Sequence, residues 1–590
     1  MSRKPKPKKT PPRAATWRRM DLHLHTPASS DYQESGVAWL DFLQRAEARG
    51  LDIIGVTDHN TVAGYRRLRA EIEELELLER LNRLRPDEKK RLDEYRRLLT
   101  KILVLPGFEF TATFGFHIIG LFSPATPIRD IEHILLNLNV PSDQLDKGSS
   151  TVGATADVLT AYEQIDEAGG LVIAAHANSS NGVAMRGFTF GGQTKIAYTQ
   201  DPHLHALEVT DLEQKGRRAT AAFFNGSKPE YPRRMHCIQG SDAHRLRRDP
   251  NSVKNLGLGD RTTEALLDDV SFESLRQLFL GSDFARTRPY RGSLGEVAFD
   301  YIQAAREQGP NIVQDFHDSL NGKAKLTAVL ADVCAFANIN GGTLYIGVSA
   351  DAKHAPVGVQ GAPAAAAKLQ KEIASRLLPS LAITVDVQET HGKKIVRVLV
   401  PRGDDPPYAI DDNKIYLRQE AETSLAVRDE IVQLTLRGGR LAGVAASQTE
   451  AESQAAPVEA TTAAASPMTS ASAPLDAPRT GVEIVATEKR NGKLYHTVRD
   501  LRNGNIVKNV TRSSARHLWR YAIGQAEGAA PNEKAITWHG DLGLIRRQQK
   551  GNAIRFDLIQ RAPEGVRVYY GVTDDGIHGA WKKVVGGEEE

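Results

Sequence analysis

Two histidines and an aspartate near the N-terminus have the residue types and the spacing of a metal site. His23 and His25 lie in a short apolar run, which is followed by Asp31. If Leu22 and Leu24 point into a packed core, the alternation of a strand places both imidazoles on the opposite face. Two neutral imidazoles and a carboxylate oxygen can bind a transition-metal ion. A pair of surface histidines is the alternative.

Metal-capable residues recur wherever an apolar run ends between residues 51 and 244. They are Asp58 with His59, Glu109, His176, Asp211, and Asp242 with His244, while His117 opens a further run. Helical patterns such as 37–49 and 155–168 separate most of these runs, which favours parallel β/α units. The carboxyl ends of such strands meet on one face, where these folds place their active sites. We therefore expect the polar side chains to converge there.

Five ordered motifs give residues 20–290 a resemblance to a known family. The motifs are DLHLHTPASSDY (21–32), GVTDHNT (55–61), PGFEF (106–110) with HIIGLF (117–122), AAHANSS (174–180) and GSDAH (240–244). This part of the chain resembles the PHP (polymerase and histidinol phosphatase) metallophosphoesterases. The resemblance implies an α/β fold, a distorted (β/α)7 barrel, with a trinuclear metal site at the carboxyl ends of its strands. The PHP domains that it resembles most are associated with SMC-like ATPases, so an ATPase partner is a hypothesis.

The resemblance also implies which residues bind the metal. They are His23, His25, Asp31, His59, Glu109, His117, His176, Asp242 and His244. Glu109 would be the bridging and catalytic carboxylate, and Asp58, beside His59, is a candidate for a supporting or catalytic role. The spacing from His25 to Asp31 is one residue longer than is usual in the family. No ligand position of the family is missing.

The ligand types indicate the chemistry. Mixed imidazole and carboxylate sites suit Mn²⁺, Zn²⁺ or Fe²⁺ better than Ca²⁺ or Mg²⁺, and the resemblance implies three divalent ions. A bound ion lowers the pKa of water from 15.7 to about 7 and so supplies hydroxide at neutral pH. Two cations about 3.5–4 Å apart can hold the attacking and leaving oxygens of a phosphoryl group. This describes phosphoester hydrolysis; the alternative is a barrel that keeps the fold without metal.

A charged segment at 66–101 separates the second motif from the third. It is dense in Leu, Glu and Arg, and Pro86 interrupts it once. The pattern predicts a helical hairpin that is inserted into the barrel and stands off it.

Residues 291–440 contain the phrase CAFANINGGTLYIGV (334–348). Gly341 and Gly342 permit a tight turn from the preceding helix into a strand. The segment resembles the Schlafen-like AlbA-type domain, which implies an α+β fold and, in many members, nucleic-acid binding. The family usually begins with Glu-Phe-Lys, whereas this chain has Asp315-Phe316-His317. We therefore interpret the domain as a binding or assembly module and not as a second nuclease centre.

The C-terminal region begins with a segment, 441–480, that is rich in Ala, Ser, Thr and Pro and predicts a flexible linker. Strand-like runs with Asn-Gly turns and one helix at 512–524 then predict a small α+β module over 481–590. Arginines among aromatic residues can bind phosphates and stack bases, and the candidates here are Arg512, Arg516, Arg520, Arg546 and Arg547. The alternative places the tryptophans in the core and the arginines in solvent.

The composition is that of a globular protein of 590 residues with a net charge of +3 and two cysteines. Residues 1–19 carry eight Lys and Arg and no acidic residue, which predicts a disordered tail that either solubilises the protein or contacts phosphates. No apolar run reaches the roughly 18–20 residues that span a bilayer, and no apolar signal core is present. We expect a cytoplasmic protein without a membrane partner or a disulfide framework.

The leading hypothesis is a metal-dependent phosphoesterase that hydrolyses phosphodiester bonds, a nuclease acting on DNA or RNA, because the flanking modules are suited to holding a polymer. One alternative is a phosphomonoesterase for nucleotides or small phosphorylated metabolites. An alternative from a different class is a nucleic-acid-binding scaffold of a defence or repair complex with a catalytically idle barrel.

Overall fold

The computed structural model describes residues 15–151, 156–184, 192–214, 219–252, 255–292, 299–438, 477–490, 493–501, 506–512, 517–528, 536–550, 553–562 and 565–586. Most of the predicted tail, most of the predicted linker and Arg516 lie outside these residues. The predicted tail extends too far, because residues 16–19 belong to the first strand and pair with residues 264–267. Arg19 in this strand stacks on Tyr290 at 3.6 Å.

A nine-stranded sheet forms the N-terminal part of the molecule and curves into a nearly closed barrel. Its first seven strands are neighbours in chain order. The eighth strand pairs with the free edge of the first strand, and the ninth pairs with the eighth. The ninth strand also contacts the seventh, which nearly closes the barrel. The strands are β1 (Thr16–Leu24), β2 (Ile53–Val56), β3 (Leu103–Thr111), β4 (His117–Leu121), β5 (Leu171–Ala174), β6 (Ala206–Glu208), β7 (His236–Ile238), β8 (Thr263–Leu267) and β9 (Thr287–Pro289). The mixed α/β barrel predicted from the sequence is confirmed.

The strands are not all parallel, which differs from the prediction of parallel β/α units. β1, β2 and β3 pair in parallel, as do β5, β6 and β7. β4, in contrast, is antiparallel to both β3 and β5. Only residues 112–116 connect β3 to β4, and so short a connection leaves no room for the crossover that parallel strands need. As a result, the start of β4 lies at the edge of the sheet where β3 ends.

Helices pack against the outside of the barrel, and apolar side chains fill its inside. The helices are α1 (Trp39–Ala48), α2 (Ala63–Arg80), α3 (Pro86–Leu99), α4 (Ile128–Asn137), α5 (Val158–Glu167), α6 (Gly192–Gln200), α7 (Thr220–Phe223) and α8 (Phe272–Leu280). One apolar cluster joins the helices to the sheet. A second cluster takes side chains from every strand between β1 and β8, with α8 packed against it.

The charged segment forms the two helices α2 and α3, and Pro86 is the first residue of α3, where its missing N–H costs no helical hydrogen bond. The hairpin does not stand off the barrel as predicted. Its leucine stripe, which includes Leu68, Leu75, Leu92 and Leu98, is buried in the same cluster as the barrel helices. The apolar face of the hairpin therefore packs on the domain, and its charged face is left to solvent.

The middle region is an α+β domain, as predicted. Its helices are α9 (Tyr301–Gln308), α10 (Lys323–Asn338) and α11 (Ala362–Arg376), and its strands are β10 (Gln314–His317), β11 (Gly342–Ile346), β12 (Leu377–Leu378), β13 (Thr384–Thr390), β14 (Lys393–Val400), β15 (Ala409–Ile410), β16 (Tyr416–Gln419) and β17 (Glu422–Leu425). A four-stranded sheet has the order β10-β11-β14-β13. Asn338 ends α10 and is fully buried. Its side-chain amide donates hydrogen bonds to the backbone carbonyls of Tyr408 and Tyr416 and accepts one from the backbone N–H of Tyr408, so its polar atoms are satisfied.

The C-terminal region is a seven-stranded antiparallel sheet with a helix on each side. The strands are β18 (Val482–Arg490), β19 (Lys493–Asp500), β20 (Ile506–Val510), β21 (Thr537–His539), β22 (Leu542–Lys550), β23 (Ala553–Ala562) and β24 (Gly565–Thr573), and the helices are α12 (His517–Ala526) and α13 (Trp581–Val584). None of the helices that the structure describes has the length and hydropathy to cross a bilayer.

Candidate metal centre

β1 brings two histidines to the same point by a route that differs from the predicted alternation. Leu22 and Leu24 are both buried, but in different apolar clusters. The pairing of β1 with β2 shifts between Asp21 and Leu24, and such an irregularity re-aims side chains. The Nε2 atoms of His23 and His25 lie 3.2 Å apart.

Glu109, near the end of β3, lies at the centre of the pocket and is fully buried. Its two carboxylate oxygens lie within 3.4 Å of imidazole nitrogens from five histidines, which are His23, His25, His59, His117 and His176. His117 reaches this point because it begins the reversed strand β4. The carboxylate thus joins histidines from the first four of the five motifs.

The remaining predicted ligands close the pocket. The Oδ1 atom of Asp242 lies 3.4 Å from the Nε2 atoms of His23 and His25. The Oδ2 atom of Asp31 lies 3.2 Å from Nε2 of His59 and 3.3 Å from Nε2 of His244. The structure therefore brings together all nine side chains proposed as ligands, including Asp31 despite its longer spacing.

The donor atoms fit divalent metal ions. Three overlapping groups each place their nitrogen and oxygen atoms within 4.8 Å of one another: His25, His59 and His244; His23, His25 and Asp242; and His59, Glu109 and His117. Ligands about 2.1 Å from one ion lie roughly 3–3.5 Å apart, which matches the separations above. Nδ1 of His59 and Oε2 of Glu109 are buried 2.9 Å apart, yet neither atom makes a contact with hydrogen-bond geometry in the described part of the chain.

The charges of the pocket also favour cations. Burial alone would raise the pKa of Glu109, but His117, His23 and His59 hold it well below its usual value. Burial likewise would lower the pKa of His23, yet Glu208, Glu109 and Asp242 raise it well above its usual value. Among the residues described, no Lys or Arg forms an ion pair with Glu109 or Asp242. Within the described ranges, the side chains that oppose this negative charge are imidazoles.

A buried carboxylate that the sequence analysis missed supports the ligands. Oε2 of Glu208 lies 2.7 Å from Nδ1 of His23 and accepts a hydrogen bond from the backbone N–H of His176 at 2.9 Å. Glu208 ends β6, and attention to the last residue of the strand would have found it. Asp211, three residues further on, does not reach the pocket. It instead accepts hydrogen bonds from the backbone N–H and the hydroxyl of Thr220.

Asp58 lies behind the ligands and not among them. It accepts hydrogen bonds from the backbone N–H of Thr26 at 2.7 Å and from the hydroxyl of Ser29 at 2.8 Å. The Ser29 oxygen lies 2.9 Å from Nδ1 of His25. Because the hydroxyl donates to Asp58, its oxygen accepts the Nδ1 proton, and Nε2 of His25 keeps its lone pair for the pocket.

The middle domain contains a second cluster of metal-capable residues. Asp315, His317 and Asp332 bring their donor atoms within 4.8 Å. Nε2 of His317 lies 2.7 Å from Asp332. The buried guanidinium of Arg418 lies 2.8 Å from Asp315 and 3.4 Å from Asp332. The guanidinium of Arg418 therefore compensates the negative charge of the two carboxylates.

The four described arginines among the five proposed for nucleic-acid binding do not form one surface. Arg546 and Arg547 are neighbours in β22, so their side chains point to opposite faces of the sheet. Arg512 forms an ion pair with Glu527 at 3.5 Å, Arg520 is exposed on α12, and Arg516 lies outside the described residues. Trp519 is 1% exposed and belongs to the core, so it offers no face to a base.

Comparison with known proteins gives one match to a family model, in the middle domain. Residues 313–427 match the family model described as Schlafen, AlbA_2, which confirms the likeness predicted for the middle domain. No curated protein matches the chain.

Several solved structures are similar to the chain. The lesion-specific endonuclease PfuEndoQ from Pyrococcus furiosus is 15% identical, with 46% of this chain and 58% of that chain covered and a TM-score of 0.30. A two-domain protein from Bacteroides vulgatus, described as containing a predicted PHP-like metal-dependent phosphoesterase, is 17% identical, with 49% and 69% covered and a TM-score of 0.28. The chain spans less than two thirds of the Pyrococcus protein, and likenesses at these TM-scores carry no functional conclusion.

Proposed function

We propose that the barrel is a metal-dependent phosphoesterase that cleaves phosphodiester bonds of DNA or RNA. The observation that carries the proposal is the convergence of nine histidine and carboxylate side chains, from six separate segments of the barrel, in one pocket around Glu109. Such a set is typical of sites that hold more than one divalent ion. The three overlapping donor groups support up to three ions.

The chain's own residues hold the ligands in the orientation that this chemistry needs. Glu208 fixes the ring of His23, and Ser29 with Asp58 fixes the ring of His25. Each contact engages Nδ1 and leaves Nε2 directed at the carboxylates. Bound divalent ions would supply positive charge beside the phosphate oxygens and lower the pKa of water.

The pocket admits substrate from one side. The side chains of Asp31 and Asp242 are 46% and 33% exposed, whereas those of His23 and Glu109 are each 1% exposed. A phosphate group would therefore approach past Asp31 and Asp242 towards the buried histidines. Asp58 and Glu208 stay behind the ligands, so we assign them positioning roles.

A nucleic-acid substrate is supported by the middle domain. Residues 313–427 match a Schlafen AlbA_2 model, and the resemblance of this segment implies nucleic-acid binding in many members. A polymer held by this domain would present internal phosphodiester bonds to the barrel. Phosphodiester cleavage thus accounts for both domains, whereas a phosphomonoesterase would leave the middle domain without a role in substrate binding.

The test is a substrate panel with matched variants. The full chain is incubated with Mn²⁺ and single- and double-stranded DNA, RNA and mononucleotides, and its metal content is measured. We expect cleavage of internal bonds by the wild type and loss of cleavage in His23→Ala, with binding retained. His133→Ala, which changes an exposed histidine of α4, is the control. Phosphate release from mononucleotides alone, or binding without hydrolysis, would contradict the proposal.

A further inference from the structure

A cavity of about 380 Å³ lies between the barrel and the middle domain. Its walls include Arg234, His236 and Phe284 from the barrel region and Tyr301, Tyr345 and Leu399 from the middle domain. The volume is in the range of small-molecule sites, which lie preferentially between domains. None of the nine side chains of the metal pocket lines this cavity, so it is a separate site.

A buried ion-pair group fixes the two walls relative to each other. Arg397 of β14 is 3% exposed, and its guanidinium forms two hydrogen bonds of 2.6 and 2.8 Å with Asp283, which precedes β9. The same guanidinium bonds Asp386 of β13. A bidentate pair of this kind restricts orientation as well as distance. These hydrogen bonds therefore hold the two walls of the cavity in a fixed relative orientation.

One cation on the cavity wall has no counter-charge in direct contact. Arg288 pairs with Glu264 at 2.7 Å, and Arg291 lies 3.9 Å from Glu213. Arg234 stacks over the ring of Phe284 at 4.5 Å, but no hydrogen bond or ion pair to it occurs within the described residues. Burial lowers the pKa of its guanidinium. Arg234 is half-buried, so its guanidinium is accessible from the cavity, where a phosphate group would accept two parallel hydrogen bonds from it.

The remaining walls suit a planar ring. Tyr301 and Tyr345 provide aromatic surface, and Met235 and Leu399 provide apolar surface, whereas the ring of Phe284 is already in contact with Arg234 and His236. The hydroxyl of Tyr301 is buried without a hydrogen-bond partner in the part of the chain described. Sites that combine an apolar or aromatic lining with a few polar groups bind small molecules in a fixed orientation. A phosphate at Arg234 and a ring against these walls describe one ligand class.

We propose that this interdomain cavity binds a nucleoside monophosphate, with its phosphate on Arg234 and its base against the aromatic wall. The site is distinct from the metal pocket and does not depend on the hydrolytic function proposed above. Because both domains contribute walls, the ligand would stabilise their joined arrangement.

Binding is measured by calorimetry on the full chain in excess chelator, so that the metal pocket does not hold phosphate through ions. The probes are the four ribonucleoside monophosphates, the matching nucleosides and inorganic phosphate. We expect at least one monophosphate to bind at least tenfold more tightly than its nucleoside and than inorganic phosphate. A monophosphate that binds no better than phosphate alone, or no binding at all, would overturn the proposal.

Two variants locate the site. Arg234→Met keeps an unbranched apolar stem of similar length to the aliphatic part of arginine and removes the guanidinium, and we expect it to weaken monophosphate binding at least tenfold. Ala222→Trp adds a large side chain at the cavity wall and should reduce binding without touching Arg234, which provides a second test if Arg234→Met does not fold. Arg129→Met, at an exposed position of α4, is the matched control and should bind as the wild type does. Unchanged affinity in a folded Arg234→Met or Ala222→Trp protein would place the ligand elsewhere.

Discussion

The barrel pocket and the cluster around Asp332 contain the same residue types and differ in their compensating charge. Both bring histidine and carboxylate atoms within 4.8 Å. In the middle domain the guanidinium of Arg418 lies beside Asp315 and Asp332. In the barrel, among the described residues, only imidazoles face Glu109 and Asp242. We infer from this difference that a pocket whose carboxylates face imidazoles can bind a metal ion, because an imidazole can lose its proton, whereas a guanidinium beside the carboxylates stays charged and opposes a cation.

The largest expected effect is at Glu109, the carboxylate that we propose bridges the metal ions. Glu109→Gln removes the charge that joins five histidines. Several kcal/mol of lost transition-state stabilisation correspond to about a thousandfold in rate, so we expect kcat/KM on nucleic acid to fall at least that far, together with the metal content. Glu167→Gln, an exposed residue of α5, is the control. Full metal content and activity in Glu109→Gln would remove the contrast between the two clusters.

Arg418→Met tests the other side of the comparison. It leaves Asp315 and Asp332 without their buried cation, which should destabilise the middle domain by about 3–5 kcal/mol. If compensation decides metal binding, the variant should also take up more Mn²⁺ or Zn²⁺ than the wild type and regain stability with it. Denaturant unfolding with and without metal measures both effects. A destabilised variant that gains no metal would show that charge alone does not separate the clusters.

Glu208→Gln should have a smaller effect, because it keeps the shape of the group that fixes His23 and removes only its charge. Loss of such a supporting contact typically costs about 10–100-fold in metal affinity. Competition with a fluorescent chelator measures the change. Affinity equal to that of Glu167→Gln would mean that Glu208 does not position His23.

The smallest effect concerns pH. In the metal-free pocket burial would lower the pKa of His59, but Glu109 and Asp31 raise it to about 10. A raised histidine pKa adds stability that is complete below the unfolded value of about 6.5 and is lost as pH rises through the folded value. We expect the Tm of chelator-treated protein to fall by a few degrees between pH 6.5 and 10, and His59→Asn to weaken that slope. A flat profile would contradict the charge balance of the pocket.

Most of the proposed ligands were predictable because they follow or begin an apolar run, as His59 and His117 do, whereas Asp31 was predicted only from the resemblance of its motif. The direction of β4 was not, because strand polarity depends on the length of a connection and on distant partners. Glu208 escaped notice since, within the run HALEVT, it reads as an ordinary strand residue. The packing of the α2–α3 hairpin onto the barrel was also hidden, because its leucines fit a self-contained hairpin equally well. Local pattern thus indicates which residues are polar at strand ends, and tertiary pairing decides what surrounds them.

The position of β1 has a consequence for how the chain is made. This strand lies between β2, about thirty residues later, and β8, which begins at Thr263. During synthesis one of its edges stays without a neighbour until the ribosome has released most of the barrel. Pairings so distant along the chain form slowly, and exposed edges invite aggregation in the interval. A truncated chain that ends anywhere before residue 263 should therefore be insoluble.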